Sequence, residues 1–480
     1  MKTKLLYHGP LWKGSTSLQR AEAFAALPNI SVIYSDSNYR VGKIESLYRR
    51  IRWKLRWPVD ITNENRMLLE RVTEYCPDIV IIDSSKVMKR STQKKIRKVC
   101  DCRLVYYIPD DVMGKHNLSH TLRWSFPDWD VFFTTKTFNV EELFIAGTRH
   151  PVLVGKSFDP AIHSPMSPDE VGEEYEAFDC VFIGTYEKER CNTINAIAEA
   201  GLTVVVYGSD KGNWAGKELH HRITLRPSVY SLEYRRCYHY GKIALCFLRK
   251  INRDKITQRS MEIPAMGRPM LAEKTEEHDE HFIDGKEYIG FRNDEEAVRV
   301  CKFWLKRDKE RIKVGLSSRT RCLNSGYSSL DRAKFMIDKI MPVNRFPDKA
   351  NEKILFVGDL SLSGRTKQRF NALSDLGVAV TPVSYELFSQ KPGISQSAAF
   401  LNRIFNKLGW PLDNLDVNKR IIQYLKYEQV NILWIEKALM LKPKTLQKVK
   451  EIQPNIKLIF CSEDDMYAKH NQSQIGRAHV

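Results

Sequence analysis

Short runs of consecutive apolar residues alternate along the chain with longer, more polar stretches of helical period. The first run, Lys4–His8, stops at Gly9, and the polar, Ala-rich stretch behind it predicts a helix over Ser17–Leu27. Ile30–Tyr34, Asp78–Ile82 and Leu104–Ile108 predict further strands, with a helix over Ser91–Val99 between the last two. Buried strands separated by helices imply a parallel sheet covered on both faces. The pattern restarts after Asp159, with strands at Asp179–Ile183, Leu202–Tyr207, Ile243–Leu248 and Met270–Ala272 and a helix at Cys191–Ala200. Residues 293–340 read as mainly helical. The fold class is therefore α/β, with two Rossmann-like domains, 1–150 and 151–341, joined near residue 150.

A third unit, 352–474, follows a linker at 342–351 and repeats the first. Lys4-Leu5-Leu6-Tyr7-His8-Gly9 lines up with Lys353-Ile354-Leu355-Phe356-Val357-Gly358, and Gln19-Arg20 with Gln368-Arg369. Trp57-Pro58 matches Trp410-Pro411, and Asp60 matches Asp413. The block Asp110–Ser119, DDVMGKHNLS, returns as Asp464–Ser473, DDMYAKHNQS, with six identities in ten positions. Chance gives about one match in twenty, so the pattern reads as duplication. The last six residues, 475–480, are what ATC GGA AGA GCA CAC GTC encodes, which resembles a sequencing adapter read through in frame. The expectation is that this tail lies outside the fold, and that the natural protein continues with a second copy of 151–341.

The chain has 480 residues, 42% hydrophobic and 28% charged, an ordinary globular balance that excludes a disordered or fibrous protein. No apolar stretch is long enough to span a bilayer, and the start of the chain has no signal-peptide pattern. Ten cysteines without a C-x-x-C pair exclude a zinc ribbon or disulfide scaffold and point to a reducing cytosol, at most with contact at the inner membrane face. Lys and Arg exceed Asp and Glu by 76 − 58 = 18. Such an excess attracts nucleic acid, anionic lipid or phosphorylated substrates without choosing among them.

The most specific constellation runs from Asp254 to Leu271. It sets two acids eight residues apart, Asp254 and Glu262, the second on a helix ended by Gly267 and Pro269 before an apolar strand. A carboxylate at mid-helix can accept hydrogen bonds from vicinal sugar hydroxyls. Here the sequence resembles the group 1 glycosyltransferases of GT-B fold, of the spore-maturation-protein type, most strongly over 178–340. Their donor domains carry E-x7-E followed by A-x-G-x-P. Glu262, Ala265, Gly267 and Pro269 match, and Asp254, one methylene shorter, stands in place of the first Glu. Arg259, Tyr327 and Arg332 also match the type. The resemblance implies two domains facing across a cleft, with Glu262 on the nucleotide ribose and Asp254 near the transferred sugar. It further implies retention of configuration and neither metal nor cofactor.

A second feature is Phe182-Ile183-Gly184-Thr185, a strand ending in Gly, with Lys188 and Arg190 leading into a helix. A departing nucleoside diphosphate carries about two to three negative charges and needs backbone N–H groups, a helix N-terminus and cations. Tyr207 and Gly208, at the next strand end, would line the same crevice. The third feature is the repeated D-D-x3-K-H-N-x-S. In this motif, whose spacer is the three residues Val112–Gly114, Asp110, Asp111 and His116 could orient or deprotonate an acceptor hydroxyl, or could cap helices and turns. Gly9, at the end of the first strand, would let an acceptor or donor phosphate approach the backbone.

Basic stretches at Arg40–Arg56, with Tyr48 and Trp53 interleaved, and at Lys86–Lys98 suit an anionic membrane surface carrying a lipid-linked acceptor, or nucleic acid. Each also reads as a solvated helical face. His278-Asp-Glu-His281 is expected at the surface, not on a metal. The function expected is sugar transfer from a nucleotide sugar to a glycan, lipid-linked or protein acceptor, in cell-envelope polysaccharide synthesis. The alternatives are a nucleotide-sugar epimerase, a non-catalytic sugar-nucleotide-binding or coat protein, and a nucleic-acid-binding protein, the least favoured of these.

Overall fold

The computed structural model describes residues 2–37, 46–341, 352–360, 365–376, 378–385, 405, 411–413 and 415–461. The linker 342–351, the block Asp464–Ser473, Trp410 and the tail 475–480 lie outside the described residues.

The first sheet contains β1 (Thr3–Gly9), β2 (Ile30–Asp36), β3 (Ile79–Asp83), β4 (Arg103–Ile108), β5 (Val131–Thr134) and β6 (Pro151–Leu153). Its order is β2-β1-β3-β4-β5-β6, and every pairing is parallel. Alternation along each strand divides the core into two layers. Leu6, Val80, Ile82, Leu104, Tyr106 and Phe132 face one side, packed with side chains of the helices Glu64–Tyr75 and Arg90–Val99. Leu5, Tyr7, Ile79, Ile81, Val105 and Phe133 face the other, under the helices Thr16–Ala25 and Ser329–Ile340. β6 carries this sheet past the boundary expected at 150. The helix Ser329–Ile340, expected to belong to 151–341, supplies Ala333, Met336 and Ile340 to the first core. The chain thus crosses between the domains twice, and both crossings hold the cleft together.

The second sheet contains β7 (Phe178–Ile183), β8 (Val204–Tyr207), β9 (Ile223–Arg226), β10 (Gly241–Cys246), β11 (Met270–Glu273) and β12 (Ile289–Phe291), ordered β12-β11-β10-β7-β8-β9. The order reverses between β7 and β10. In open α/β sheets such a switch point leaves a crevice at the carboxyl ends of the strands, where ligands bind. The helices Asp294–Leu305, Asp308–Asn324 and Ser329–Ile340 make up the helical stretch expected at 293–340.

The third sheet contains β13 (Lys353–Gly358), β14 (Ala379–Ser384), β15 (Ile432–Glu436) and β16 (Lys457–Cys461). Its order, β14-β13-β15-β16, is that of β2-β1-β3-β4. The resemblance reaches single hydrogen bonds. Asp60 Oδ1 accepts from Glu64 N at 2.7 Å, and Asp413 Oδ1 from Val417 N at 2.7 Å. Asn65 Nδ2 donates to Asp60 Oδ2 and Val87 O; Asn418 Nδ2 donates to Asp413 Oδ2 and Met440 O. Asn65 Oδ1 accepts from Lys89 N and Thr92 Oγ1, and Asn418 Oδ1 from Lys442 N and Thr445 Oγ1. The residue before each helix, Asn63 or Asp416, is left-handed, with φ of 55° and 52°.

Candidate active site

A cavity of about 340 Å³ opens at the carboxyl ends of β7 and β8, beside the switch point. The second domain contributes Gly184, Thr185, Tyr207, Tyr234, Arg259 and Glu262 to its wall, and the first closes it with Gly14, Thr16 and Gln19. The chain turns into this wall at two tightly packed junctions. Trp214 Nε1 donates to Gly184 O at 2.7 Å, and Gly208 has φ +140°. A Cβ on Gly208 would lie 2.7 Å from Gly184 O, so only glycine lets the two strand ends meet.

Glu262 and Arg259 project from the helix Arg259–Ala265, which ends at Gly267 with φ +70°. The Tyr234 hydroxyl donates to Glu262 Oε2. On the other oxygen, His163 Nε2 stands 3.8 Å from Oε1. His163 Nδ1 accepts from Asp159 N at 2.9 Å, which leaves the Nε2 proton facing the carboxylate. Burial, and then the Glu262 charge, push the Tyr234 phenol well above its ordinary pKa, so it stays a donor. Among the described residues Arg259 has no hydrogen bond or ion pair, and its Nε is buried without a partner. Burial opposes its charge, but Tyr234, Tyr238 and Glu262 together raise its pKa. The cavity therefore presents a buried cation, Arg259, beside one oriented carboxylate, and Lys211, 5.4 Å from the Tyr230 ring centre, adds a second positive charge to its wall.

The other expected donor contacts divide. Thr185 and Tyr207 line the cavity, whereas Lys188 lies exposed at the first turn of the helix Lys188–Glu199, away from its wall. Arg190 is buried and committed: it donates to Thr185 O at 3.0 Å and Leu248 O at 3.1 Å, and pairs with Glu187 at 3.4 Å. It braces the Gly184-Thr185 loop and is not part of the switch-point cavity's wall. Arg332 stacks on the Tyr327 ring at 5.5 Å, and its Nε donates to Lys156 O of the crossing segment at 3.4 Å. At Gly9, the space a Cβ would take is filled by Ser17 Oγ at 2.7 Å and Asp83 Cβ at 2.9 Å, so the close approach is to the protein's own helix.

Asp110, Asp111 and His116 reach across the cleft to the loop at Lys250–Asp254, not into the cavity. Arg253 donates through Nε and Nη2 to Asp111 at 2.7 and 2.8 Å, and through Nη1 and Nη2 to Glu142 at 2.9 Å each. Asn252 Nδ2 donates to Asp110 Oδ1 at 2.8 Å, and Asn252 Oδ1 lies 3.0 Å from His116 Nε2. Burial alone would raise the Asp111 carboxyl, but bonds from Arg253 and Asn139 outweigh it and hold it below its ordinary pKa. Arg253 takes φ +50°, a strained left-handed conformation that these bonds offset. Asp254, the next residue, has its side chain buried and paired with Lys136 of the first domain. Lys156, on the crossing segment, donates to Pro109 O at 2.8 Å; burial and the Lys136 charge lower its pKa to about 7.

Sequence reasoning missed Tyr234, His163, Lys136, Asn252 and Arg253. No local motif marks the first three, because their partners are 28 to 118 residues away. Arg253 and Asn252, by contrast, adjoin Asp254 and could have been tried against the acidic pair. His278, expected at the surface, is fully buried: its Nε2 lies 2.8 Å from Ser260 Oγ, and burial lowers its pKa to about 4. Among the described residues, no group of three His, Cys, Asp or Glu could hold a metal ion.

Residues 189–338 match a family model described as glycosyl transferase-like. No curated protein matches the chain in sequence. Among solved structures, HepE of Anabaena, in complex with UDP-glucose, is 11% identical, with a TM-score of 0.50 over 70% of this chain and 99% of its own. Sucrose-phosphate synthase of Thermosynechococcus elongatus is 10% identical, with a TM-score of 0.50 over 70% and 97%. A glycosyltransferase of Rickettsia africae is 11% identical, with a TM-score of 0.50 over 71% and 98%. These likenesses show the fold.

Proposed function

We propose that the chain, GT-B in fold with a glycosyl transferase-like domain, is a glycosyltransferase of group 1, of the spore-maturation type, using a nucleotide-diphosphate sugar. The observation that carries this reading is the pairing of Arg259 and Glu262 in the switch-point cavity. A diphosphate supplies the hydrogen-bond acceptors that Arg259 lacks among the described residues. Glu262, oriented by Tyr234 and His163, can accept both ribose hydroxyls. Gly184 and Thr185 line the same space. As the bond to the sugar lengthens, charge builds on the leaving diphosphate, and a fixed cation in a water-poor cleft stabilises it without reorganisation. HepE and its complex with UDP-glucose make UDP-glucose the first donor to try. Retention and independence of metals follow the group 1 likeness. The matched strand order and capping bonds support the third unit as a partial copy of the first.

The test is thermal unfolding of the full chain with UDP, GDP, TDP or CDP, with Glu262→Ala alongside. A ligand at a hundred times its dissociation constant adds about 2.7 kcal/mol to native stability. A rise with one nucleotide that Glu262→Ala abolishes supports the donor site; no rise with any nucleotide counts against it. One observation favours a second reading, nucleotide-sugar binding without turnover: Asp254 is neutralised by Lys136. Donor binding with no release of nucleoside diphosphate across a panel of glycan and lipid-linked acceptors would select it.

A further inference from the structure

The helix Leu47–Lys54 buries none of its residues. Leu47 is 72% exposed, Tyr48 63%, Ile51 47% and Leu55, the residue just beyond its end, 59%. At about 100° per residue these four side chains share an arc of roughly 100°. Trp53 lies on the opposite side, facing the domain, with Lys86 Nζ 5.3 Å from its ring centre. Beyond the helix, His120 N donates to Arg56 O at 2.8 Å, and Trp57 meets the Trp124 ring edge-on at 4.8 Å. The helix is therefore fastened on the side of Trp53 and turns a separate apolar stripe to solvent, unlike a surface helix whose apolar face serves a core. By the same geometry Arg50 and Lys54 border the stripe on one side and Arg52 on the other. No acidic residue occurs between Ser46 and Trp57.

We propose that this helix docks the protein on an anionic membrane surface. Its apolar stripe would enter the headgroup boundary, while Arg50, Arg52 and Lys54 would meet lipid phosphates. A phosphodiester backbone would engage the same cations but offers nothing to four outward apolar side chains. An interface satisfies both sets at once. The sequence repeats the pattern: at the spacing that pairs Trp57-Pro58 with Trp410-Pro411, the stripe positions become Phe400, Leu401, Ile404 and Leu408, and Arg50 and Lys54 become Arg403 and Lys407. The helix also adjoins the cleft, since Lys86 Nζ donates to His116 O at 2.9 Å. Where the glycosyltransferase reading holds, docking here would bring a lipid-linked acceptor to the first-domain wall. The docking itself does not rest on that reading.

The experiment is co-sedimentation of the full chain with vesicles of phosphatidylcholine alone, or containing about 30 mol% phosphatidylserine. It compares wild type, Leu47→Ser/Ile51→Ser/Leu55→Ser and Arg50→Glu/Lys54→Glu. A net charge of +18 draws any such protein weakly to an anionic surface, so the apolar variant discriminates. Wild type should partition onto the anionic vesicles, and the apolar variant should bind at least about tenfold more weakly with an unchanged unfolding midpoint. Each cation at the surface is worth about fivefold, so the charge variant should lose about twentyfold or more. Wild type that ignores anionic vesicles overturns the proposal. So does an apolar variant that binds as wild type, or binding confined to a DNA duplex and indifferent to the stripe. None of these outcomes depends on nucleotide, which the unfolding test above measures separately.

Discussion

Arg253→Met removes the centre of the bonds that join the two domains. Four charge-assisted hydrogen bonds disappear, two to Asp111 and two to Glu142. At about 1.5–3 kcal/mol each, taken singly, they would sum to far more than the variant should show. The Arg253 side chain is 47% exposed and Glu142 29%, so solvent screens that half of the network. Asp111 is buried but keeps bonds from Asn139 Nδ2 at 2.9 Å and Met113 N at 3.1 Å, so its charge is not stranded. Relief of the φ +50° strain returns part of the loss. The net effect expected is about 2 kcal/mol against the closed arrangement, roughly thirtyfold in the closing equilibrium.

Hydrogen exchange reads this directly, because opening the cleft exposes amides at 110–117 and 249–254 on both of its walls. Protection there should fall by up to about thirtyfold, while amides of β7 and β8 change little. Asp111→Asn should give a smaller loss, and the double variant should show a coupling of about 1–2 kcal/mol. Unchanged protection on both walls, or strictly additive effects, would refute the clamp and return Asp110, Asp111 and His116 to the reading of acceptor groups.

Arg259→Met should weaken nucleotide binding by about thirtyfold, as expected for loss of a charge-assisted contact, yet leave the unliganded protein as stable or more so. A large fall in the unliganded unfolding midpoint would show that Arg259 serves the fold instead. Lys156 has a folded pKa lowered to about 7 from 10.5, so between these values the unfolded chain binds the extra proton. Its contribution to stability therefore rises with pH across that window, by at most about 1.4 kcal/mol per unit. Lys156→Met should flatten the rise in urea titrations at pH 7 to 10, and an unaltered slope would contradict the burial argument. Asp60→Ala and Asp413→Ala remove equivalent caps and should each cost about 1 kcal/mol, additively. A loss at one position only would break the equivalence of the first and third units.

What was legible in the sequence was local. Apolar runs at Leu5–Tyr7, Ile79–Ile82 and Val204–Val206 are buried on both faces, so each announced a parallel strand without help from its neighbours. Glu262, Arg259 and Gly267 were legible because one helix carries them at fixed spacing. The clamp was not, since its parts lie 111 to 142 residues apart and meet only when two separately folded sheets face each other. Arg190 illustrates a related limit: a cation before a helix N-terminus reads as anion-binding until the backbone carbonyls that claim it, at Thr185 and Leu248, are seen. His278 misled in the same way, because the charges around it in sequence point outward while its ring turns in to Ser260.

The two acids of the constellation end in opposite electrostatic states, and that difference orders the site. Glu262 accepts its hydrogen bond from a neutral donor, the phenol of Tyr234, with His163 Nε2 3.8 Å from its other oxygen, so its charge remains available to a sugar hydroxyl. Asp254 is held by a cation from the opposite domain, so its charge is already spent within the protein. For Asp254 to touch a transferred sugar, Lys136 must exchange its partner, and Lys136 moves with the first domain. The contact at Asp254 is thus tied to the relative position of the domains, whereas Glu262 and Arg259 sit on one helix and keep their spacing however the cleft stands. On the proposed reading, nucleotide affinity should survive loss of the clamp, while any step that needs Asp254 should not.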